Sequence, residues 1–102
     1  MNKILSLLGL AQKAGRLVLG TDYVCEALRE NKVKMVFLAS DATRLTIDKI
    51  EKKVYFYQVP LNKSFNTQEL NDAIGKTNCK VIGLTDSGFA KKINEYMEVE
   101  SE

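Results

Sequence analysis

Two glycines near the start of the chain, Gly15 and Gly20, bracket a short apolar run. Thr21 follows Gly20. Threonine is a common helix cap, and apolar residues recur at helical spacing after it, so the sequence predicts a helix that begins here. Gly20 has no Cβ and lets the backbone approach a ligand closely. The first N–H groups of a helix lack partners within the helix and attract phosphate. The segment therefore indicates contact with a nucleic acid backbone or a phosphorylated ligand.

Catalytic and metal-binding groups are scarce in this sequence. The chain has no histidine, which is the commonest general base, and its two cysteines, Cys25 and Cys79, are too few for a zinc site. The triplet Asp86-Ser87-Gly88 resembles an aspartic protease signature, but apolar residues continue at helical spacing beyond it. A helix cap accounts for Asp86 and Ser87 in full. We therefore expect neither an enzyme nor a cofactor.

The triplet Gly75-Lys76-Thr77 matches the last three residues of a P-loop. The glycine required five positions earlier is absent, because position 70 is Leu70. The triplet also follows a helical pattern, where Gly75 would end the helix and Lys76 would lie near its negative end. The spacing of Gly15 and Gly20 lacks the third glycine of a dinucleotide-binding fingerprint.

Two glycine-marked loops remain, one around residues 15 to 21 and one around 75 to 79. If both lie at the same end of a sheet, they form one surface with positive charge, short polar side chains and one aromatic ring. Such groups suit a distorted RNA, although an ordinary loop end has the same composition. The candidate RNA-binding residues are Arg16, Gly20, Thr21, Asp22, Tyr23, Lys76, Thr77 and Asn78.

Helical and strand patterns alternate along the whole chain, which favours an α/β fold. We predict a three-layer α/β/α sandwich with a mixed sheet of about four strands and about five helices. The expected helices are 3–14 capped by Asn2, 21–31 capped by Thr21, 44–53, a short one capped by Thr67 and ended by Gly75, and a last one to about Met97. The expected strands are 17–19, 34–39, 54–59 ended by Pro60, and 80–84.

Length and charge fit one ordered domain. The 102 residues are 45% apolar, and no apolar run approaches the roughly 18 residues of a membrane span. Residues 1–94 hold 15 basic and nine acidic groups, a balance of +6, whereas the end of the chain is acidic. We expect a single domain over residues 1–97, an acidic tail over residues 98–102, and a cytoplasmic protein with reduced thiols.

The order and spacing of several segments together resemble the ribosomal protein L7Ae/L30e superfamily, and within it the small bacterial YlxQ-like branch. The resemblance runs from Leu7 to about Ile93. It is carried by residues 8–15 (LGLAQKAG), 17–20 (LVLG), 36–41 (VFLASD), 70–76 (LNDAIGK) and 85–90 (TDSGFA).

This resemblance implies an α/β/α sandwich that binds kink-turn or similar structured RNA, such as ribosomal RNA, without catalysis. The RNA-reading segment of the superfamily falls on Gly20 to Glu26, and its second contact loop on Lys76 to Cys79. Several positions depart from the usual pattern. The pair Asp22-Tyr23 stands where many relatives have Asn-Glu or Lys-Gln, Glu26 where many have lysine, Glu30 where many have a basic residue, and Asn71 where glycine is usual. A protein-interaction module on the same fold, with a protein partner, is therefore the alternative. Neither reading involves a membrane or a small-molecule substrate.

Overall fold

The alternating pattern of helices and strands is present in the computed structural model, which describes residues 2–101, with side chains through Glu98. The helices are α1 (Lys3–Lys13), α2 (Thr21–Arg29), α3 (Arg44–Tyr57), α4 (Thr67–Ile74) and α5 (Ser87–Ser101). The strands are β1 (Leu17–Leu19), β2 (Met35–Leu38), β3 (Leu61–Asn62) and β4 (Val81–Leu84). The predicted fold class is confirmed.

The four strands form one mixed sheet in the order β1-β4-β2-β3. Strand β4 lies between β1 and β2 and is antiparallel to both, whereas β2 and β3 are parallel. The central strands β2 and β4 are buried along their whole length. Both ends of β4 are therefore fixed by neighbours, and the loops that flank it are held against the ends of β1 and β2.

Each face of the sheet packs against its own helices. Consecutive residues of β2 show this, because Phe37 belongs to one apolar core and Val36 to the other. The first core is filled by α1, α4 and α5, and the second by α2 and α3. Alternation of side chains across a strand produces the two cores, and the result is the three-layer arrangement predicted from the sequence.

One predicted strand is wrong. Residues 54–57 are the last turn of α3, which ends at Gln58 in the left-handed conformation with φ 57°. Val54 continues the buried face of the helix set by Ile47 and Ile50. The third strand is instead the two-residue β3, which follows Pro60 rather than preceding it. Packing of Val54 on the sheet outweighs the strand preference of the aromatic residues that follow it.

The last helix is longer than the sequence predicts, because α5 runs to Ser101 rather than to about Met97. The expected acidic tail, residues 98–102, overlaps the end of this helix. Its side chains after Glu98, and Glu102 altogether, lie outside the described residues. None of the helices formed by the described part of the chain is long and apolar enough to cross a membrane.

Candidate nucleic-acid interface

The Gly20 side of the first glycine-marked loop lies beside the second loop at one end of the sheet, whereas Gly15 and Arg16 lie beyond the other end of β1. Gly20 follows β1, and its N–H donates to the carbonyl of Val81, the first residue of β4, at 2.9 Å. Asn78 is three residues before Val81 and so lies within about 10 Å of it. We call this the Gly20 end of the sheet. It carries the start of α2 at residues 20–23 and the loop at residues 76–80.

The start of α2 has an unusual geometry. Gly20 is the N-cap residue, with φ 100° and ψ 148°, and no side chain makes a capping hydrogen bond. A positive φ of this kind is accessible to glycine but costly for residues with a Cβ. Thr21 is the first residue of the helix rather than its cap, so the predicted capping role of Thr21 is wrong. No side-chain oxygen therefore occupies the place where an anion would bind the helix start.

The other two helices that begin at this end are already capped. Thr43 accepts a hydrogen bond from the N–H of Thr46 at the start of α3. Asn66 forms a capping box with Glu69 at the start of α4, so the cap predicted at Thr67 lies one residue earlier. The difference among the three starts is that α2 is left without a capping side chain.

Asp41 adds negative charge at the start of α4. One oxygen of its carboxylate accepts hydrogen bonds from the hydroxyl and the N–H of Thr67, at 2.6 and 2.9 Å. These two bonds, first the hydroxyl and then the N–H, lower the pKa of the Asp41 carboxyl below its ordinary value. A carboxylate in this place repels phosphate from α4. Helix α2 also has a carboxylate in its first turn, Asp22, so the feature that distinguishes α2 is its missing capping hydrogen bond.

The loop at residues 76–80 is fixed by one buried amide. Asn71 on α4 donates through Nδ2 to the carbonyls of Thr67 and Cys79, at 2.6 and 2.9 Å, and accepts from the N–H of Cys79 at 3.0 Å. Asn71 is only 5% exposed, whereas Lys76, Thr77 and Asn78 are exposed. The loop thus presents three polar side chains from a rigid base. The sequence did not single out Asn71 for this role.

Charge at the start of α2 is partly balanced. Asp22 is fully exposed, and its carboxylate lies 3.8 Å from Nζ of Lys49 on α3. Tyr23 is 69% exposed and makes no part of either core. Glu26, one turn further along α2, is also exposed. The pairing of Asp22 with Lys49 joins residues far apart in the sequence, and no sequence signal indicated it.

Arg16 lies away from the other candidate residues. It precedes β1, so the length of that strand separates it from Gly20. Its carbonyl accepts from the N–H of Thr85 beyond β4, and its guanidinium lies 3.6 Å from the carboxylate of Asp86. The structure gathers the other seven candidate residues at the Gly20 end and places Arg16 at the opposite end of the sheet.

The protease-like triplet at Asp86 and the P-loop-like triplet at Gly75 both have structural roles at helix ends. Asp86 caps α5, since one carboxylate oxygen accepts from the N–H groups of Gly88 and Phe89 at 2.7 and 3.1 Å. Gly75 ends α4 in the left-handed conformation, as predicted. Within the described residues, no group of three or more Cys, Asp or Glu side chains is placed to hold a metal ion.

Two bacterial proteins are similar to this chain along nearly its whole length. RNA-binding protein YlxQ of Enterococcus faecium is 41% identical over 96 residues, which cover 94% of this chain and 92% of that protein. RNA-binding protein YlxQ of Bacillus subtilis (strain 168) is 39% identical over 92 residues, covering 90% and 92%.

Solved structures show the same architecture. A protein of unknown function from Bacillus halodurans superposes with a TM-score of 0.92 at 40% identity, covering 96% of this chain and 99% of that one. The 15.5kD RNA binding protein of Giardia lamblia superposes with a TM-score of 0.81 over 96% and 85% of the two chains; at 16% identity it shows the fold alone. The sequence model of one family matches residues 2–94. The chain belongs to the ribosomal protein L7Ae/L30e/S12e/Gadd45 family.

Proposed function

We propose that this chain is a non-catalytic, cytoplasmic protein that binds kink-turn or similar structured RNA, ribosomal RNA included, at the Gly20 end of the sheet. The observation that carries the proposal is the start of α2, where Gly20 replaces a capping side chain. Free N–H groups at a helix start favour a phosphate. The names of the two YlxQ relatives, which describe RNA-binding proteins, support this function.

In this proposal the start of α2 and the loop at residues 76–80 make different contacts with the RNA. Gly20 admits a phosphate close to the backbone, because it has no side chain to exclude it. Tyr23 stacks on an unpaired base, a contact that RNA loops and bulges offer and regular duplexes do not. Lys76, with Thr77 and Asn78 beside it, contacts the backbone from the second loop. The proposed complex therefore requires a bent RNA that reaches both loops.

The test is a titration of the full chain with a fluorescent kink-turn RNA and with an unkinked duplex of equal length. We expect tighter binding of the kinked RNA. Three or four phosphate contacts should give a log–log slope against salt of roughly −3. Lys76→Ala should flatten that slope by about one, because one phosphate contact is lost.

Arg16→Ala is the matched control, since it removes an equal charge from the opposite end of the sheet, where Arg16 lies beside Asp86. The slope of Arg16→Ala should equal that of the wild type. Equal affinity for the kinked and duplex RNA would contradict the proposal, and an effect of Arg16→Ala larger than that of Lys76→Ala would move the site to the Asp86 end.

A protein-interaction module is the second candidate function. The exposed carboxylates of Glu26 and Glu30 on α2 favour it, because negative charge weakens contact with phosphate. Binding of neither RNA at low salt would favour this candidate over the first.

A further inference from the structure

The outward face of α3 forms an open groove of about 740 Å³. Residues 45, 49, 52 and 56 recur there at helical spacing and line it together with Lys53 and Tyr57. Leu45 is 84% exposed and Phe56 is 75% exposed, although the opposite face of the same helix is buried in the core. Folding therefore leaves an aromatic ring and an aliphatic side chain uncovered on this helix.

The charge of the groove is positive. Lys49, Lys52 and Lys53 line it, and Asp48 is the one carboxylate among its described lining residues. Asp48 is paired with Arg44 and Lys49 with Asp22, each at 3.8 Å, which leaves Lys52 and Lys53 without an ion pair among the described residues. Lysine is depleted in the cores of protein–protein interfaces, where apolar side chains adjoin one another. Lysines placed between apolar and aromatic groups are instead typical of surfaces that bind single-stranded nucleic acid.

The groove adjoins the Gly20 end. Nζ of Lys49 lies 3.8 Å from the carboxylate of Asp22, in the first turn of α2. From Lys49 to Phe56 the helix rises about 10 Å, at about 1.5 Å per residue. Stacked nucleotides rise about 3.4 Å each along one strand, so this stretch accommodates about three of them. A strand that leaves an RNA bound at α2 reaches Phe56 within a few nucleotides.

We propose that the groove on α3 is a second RNA contact, which takes single-stranded nucleotides continuing from the RNA at the Gly20 end. Phe56 provides a stacking surface for one base, and Lys49, Lys52 and Lys53 neutralise the phosphates on either side. The identity of the adjoining RNA rests on the proposed function. The capacity of the groove for a single strand does not, and it is tested separately.

The first experiment uses a single strand alone. The ¹⁵N-labelled full chain is titrated with an oligoadenylate of about eight nucleotides, and changes in the backbone amide chemical shifts are measured by NMR. We expect the largest shifts in residues 45–57, and a loss of affinity of about fivefold or more in Phe56→Ala, since stacking of a base is worth at least about that factor. No shift along α3 would overturn the proposal and leave the groove to a protein partner.

Tyr55→Ala is the matched control for Phe56→Ala. Tyr55 is 79% exposed, one residue away, but does not line the groove. The two variants lose equally exposed rings, so both should fold like the wild type. Equal losses of oligoadenylate affinity in the two variants would overturn the assignment of the groove.

The second experiment joins the two surfaces. A kink-turn RNA is compared with the same RNA carrying an unpaired extension of eight adenylates at its 5′ or its 3′ end. In the wild type and Tyr55→Ala, one of the two extensions should raise affinity about fivefold or more, and in Phe56→Ala this gain should disappear. Without an extension, Phe56→Ala should bind as the wild type does. A gain that persists in Phe56→Ala would overturn the proposal.

Failures of the two proposals are distinguishable. If the kink-turn RNA does not bind at all, the proposed function is lost, while the shifts caused by oligoadenylate still decide whether the groove takes a single strand. If the kink-turn RNA binds but neither extension adds affinity, the proposed function stands and the groove proposal is overturned.

Discussion

Glu26 decides between the two candidate functions at the scale of one residue. It is exposed on α2, one turn after Asp22 and on the side proposed to face RNA. Glu26→Lys should remove a repulsion from phosphate and add an attraction. At an exposed site the gain is about 1 to 2 kcal/mol, or roughly five- to thirtyfold in affinity for a kink-turn RNA at fixed salt.

The control for this substitution is Glu30→Lys. Glu30 lies one turn further from the start of α2 and is paired with Lys32 at 3.3 Å. Glu30→Lys makes the same charge change at a greater distance from Gly20, so its gain in affinity for the kink-turn RNA should be smaller. Equal gains for both variants, or an equal gain for a plain duplex, would report nonspecific charge. No gain in Glu26→Lys would favour the protein-interaction function.

Asp41 gives a prediction that depends on pH. Hydrogen bonds from Thr67 lower the pKa of this carboxyl, so the ionised form stabilises the folded protein. Asp41→Asn should therefore lower the melting temperature near neutral pH. The deficit should be complete above the ordinary carboxyl pKa of about 3.9 and should shrink as pH falls through the lower pKa of the folded state.

Thr67→Val tests the cause of that shift. It removes the hydroxyl that bonds Asp41 at 2.6 Å and leaves the N–H that bonds it at 2.9 Å. Part of the pH-dependent stability should be lost, less than in Asp41→Asn. Melting temperatures measured from about pH 7 to about pH 2 give both curves. A deficit in Asp41→Asn that stays constant over this range would contradict the prediction.

Much of the candidate site follows from residue types, but its assembly does not. Gly20 and the turn at Gly75 are recognisable because left-handed or close-approach positions need glycine. The neighbours of Arg16 and Gly20 follow from the antiparallel pairing of β1 with β4, which brings Arg16 to Thr85 and Gly20 to Val81. Partner and direction of a three-residue strand are not encoded in its own pattern.

At the scale of elements, Asn71 connects α4 to the second loop. Asn71→Leu would leave the N–H and carbonyl of Cys79 without their partner. Orphaned buried polar groups cost about 1 to 3 kcal/mol, so we expect a loss of about 2 kcal/mol in the free energy of unfolding. For a chain of this size the melting temperature should fall by about 10 °C.

Asp72→Ala is the control on the same helix. Asp72 is exposed and bonds only the side chain of Gln68, four residues earlier, among its described contacts. Its stability should change by less than about 0.5 kcal/mol. Amide exchange at Cys79 should accelerate in Asn71→Leu alone. Similar losses of stability in both variants would mean that Asn71 acts through the helix and not through the loop.

The end of α3 is the place where the secondary structure predicted from the sequence is wrong. Residues 54–57 read Val-Tyr-Phe-Tyr, a composition typical of strands, and the helix keeps them because Val54 extends its buried face. The true third strand, β3, has two residues and is too short to leave a pattern. Because α3 continues to Tyr57, Phe56 lies on the same helix face as the lysines of the groove. The sequence analysis predicted a strand there and therefore did not predict the groove.

At the scale of the whole molecule, the Gly20 end draws on both outer layers. The start of α2 comes from one layer, and the loop at residues 76–80 is anchored to α4 in the other. The distance between the two contact loops therefore depends on the thickness of the molecule. The position of α4, and of the loop with it, is set by its packing on the sheet and against α1, its neighbour in the same layer.

Gly9 sets the approach of α1 to α4. A Cβ at this position would lie 2.8 Å from the carbonyl oxygen of Ala73, which is closer than real Cβ atoms come to backbone. Gly→Ala inside a helix normally stabilises it by about 0.5 to 1 kcal/mol. Here overpacking, which costs about 1 to 3 kcal/mol, should reverse the sign, and Gly9→Ala should lose about 1 to 2 kcal/mol of unfolding free energy.

Ser6→Ala isolates the packing effect, because Ser6 lies on the exposed side of the same helix. It should be neutral or slightly stabilising in a urea titration, while Gly9→Ala shifts the midpoint to lower urea. If Gly9→Ala moves α4, the loop at residues 76–80 moves with it, and affinity for a kink-turn RNA should fall although neither substituted residue touches the Gly20 end. A more stable Gly9→Ala would show that the two helices separate without cost, and the close packing of α1 on α4 would then not fix the position of the loop.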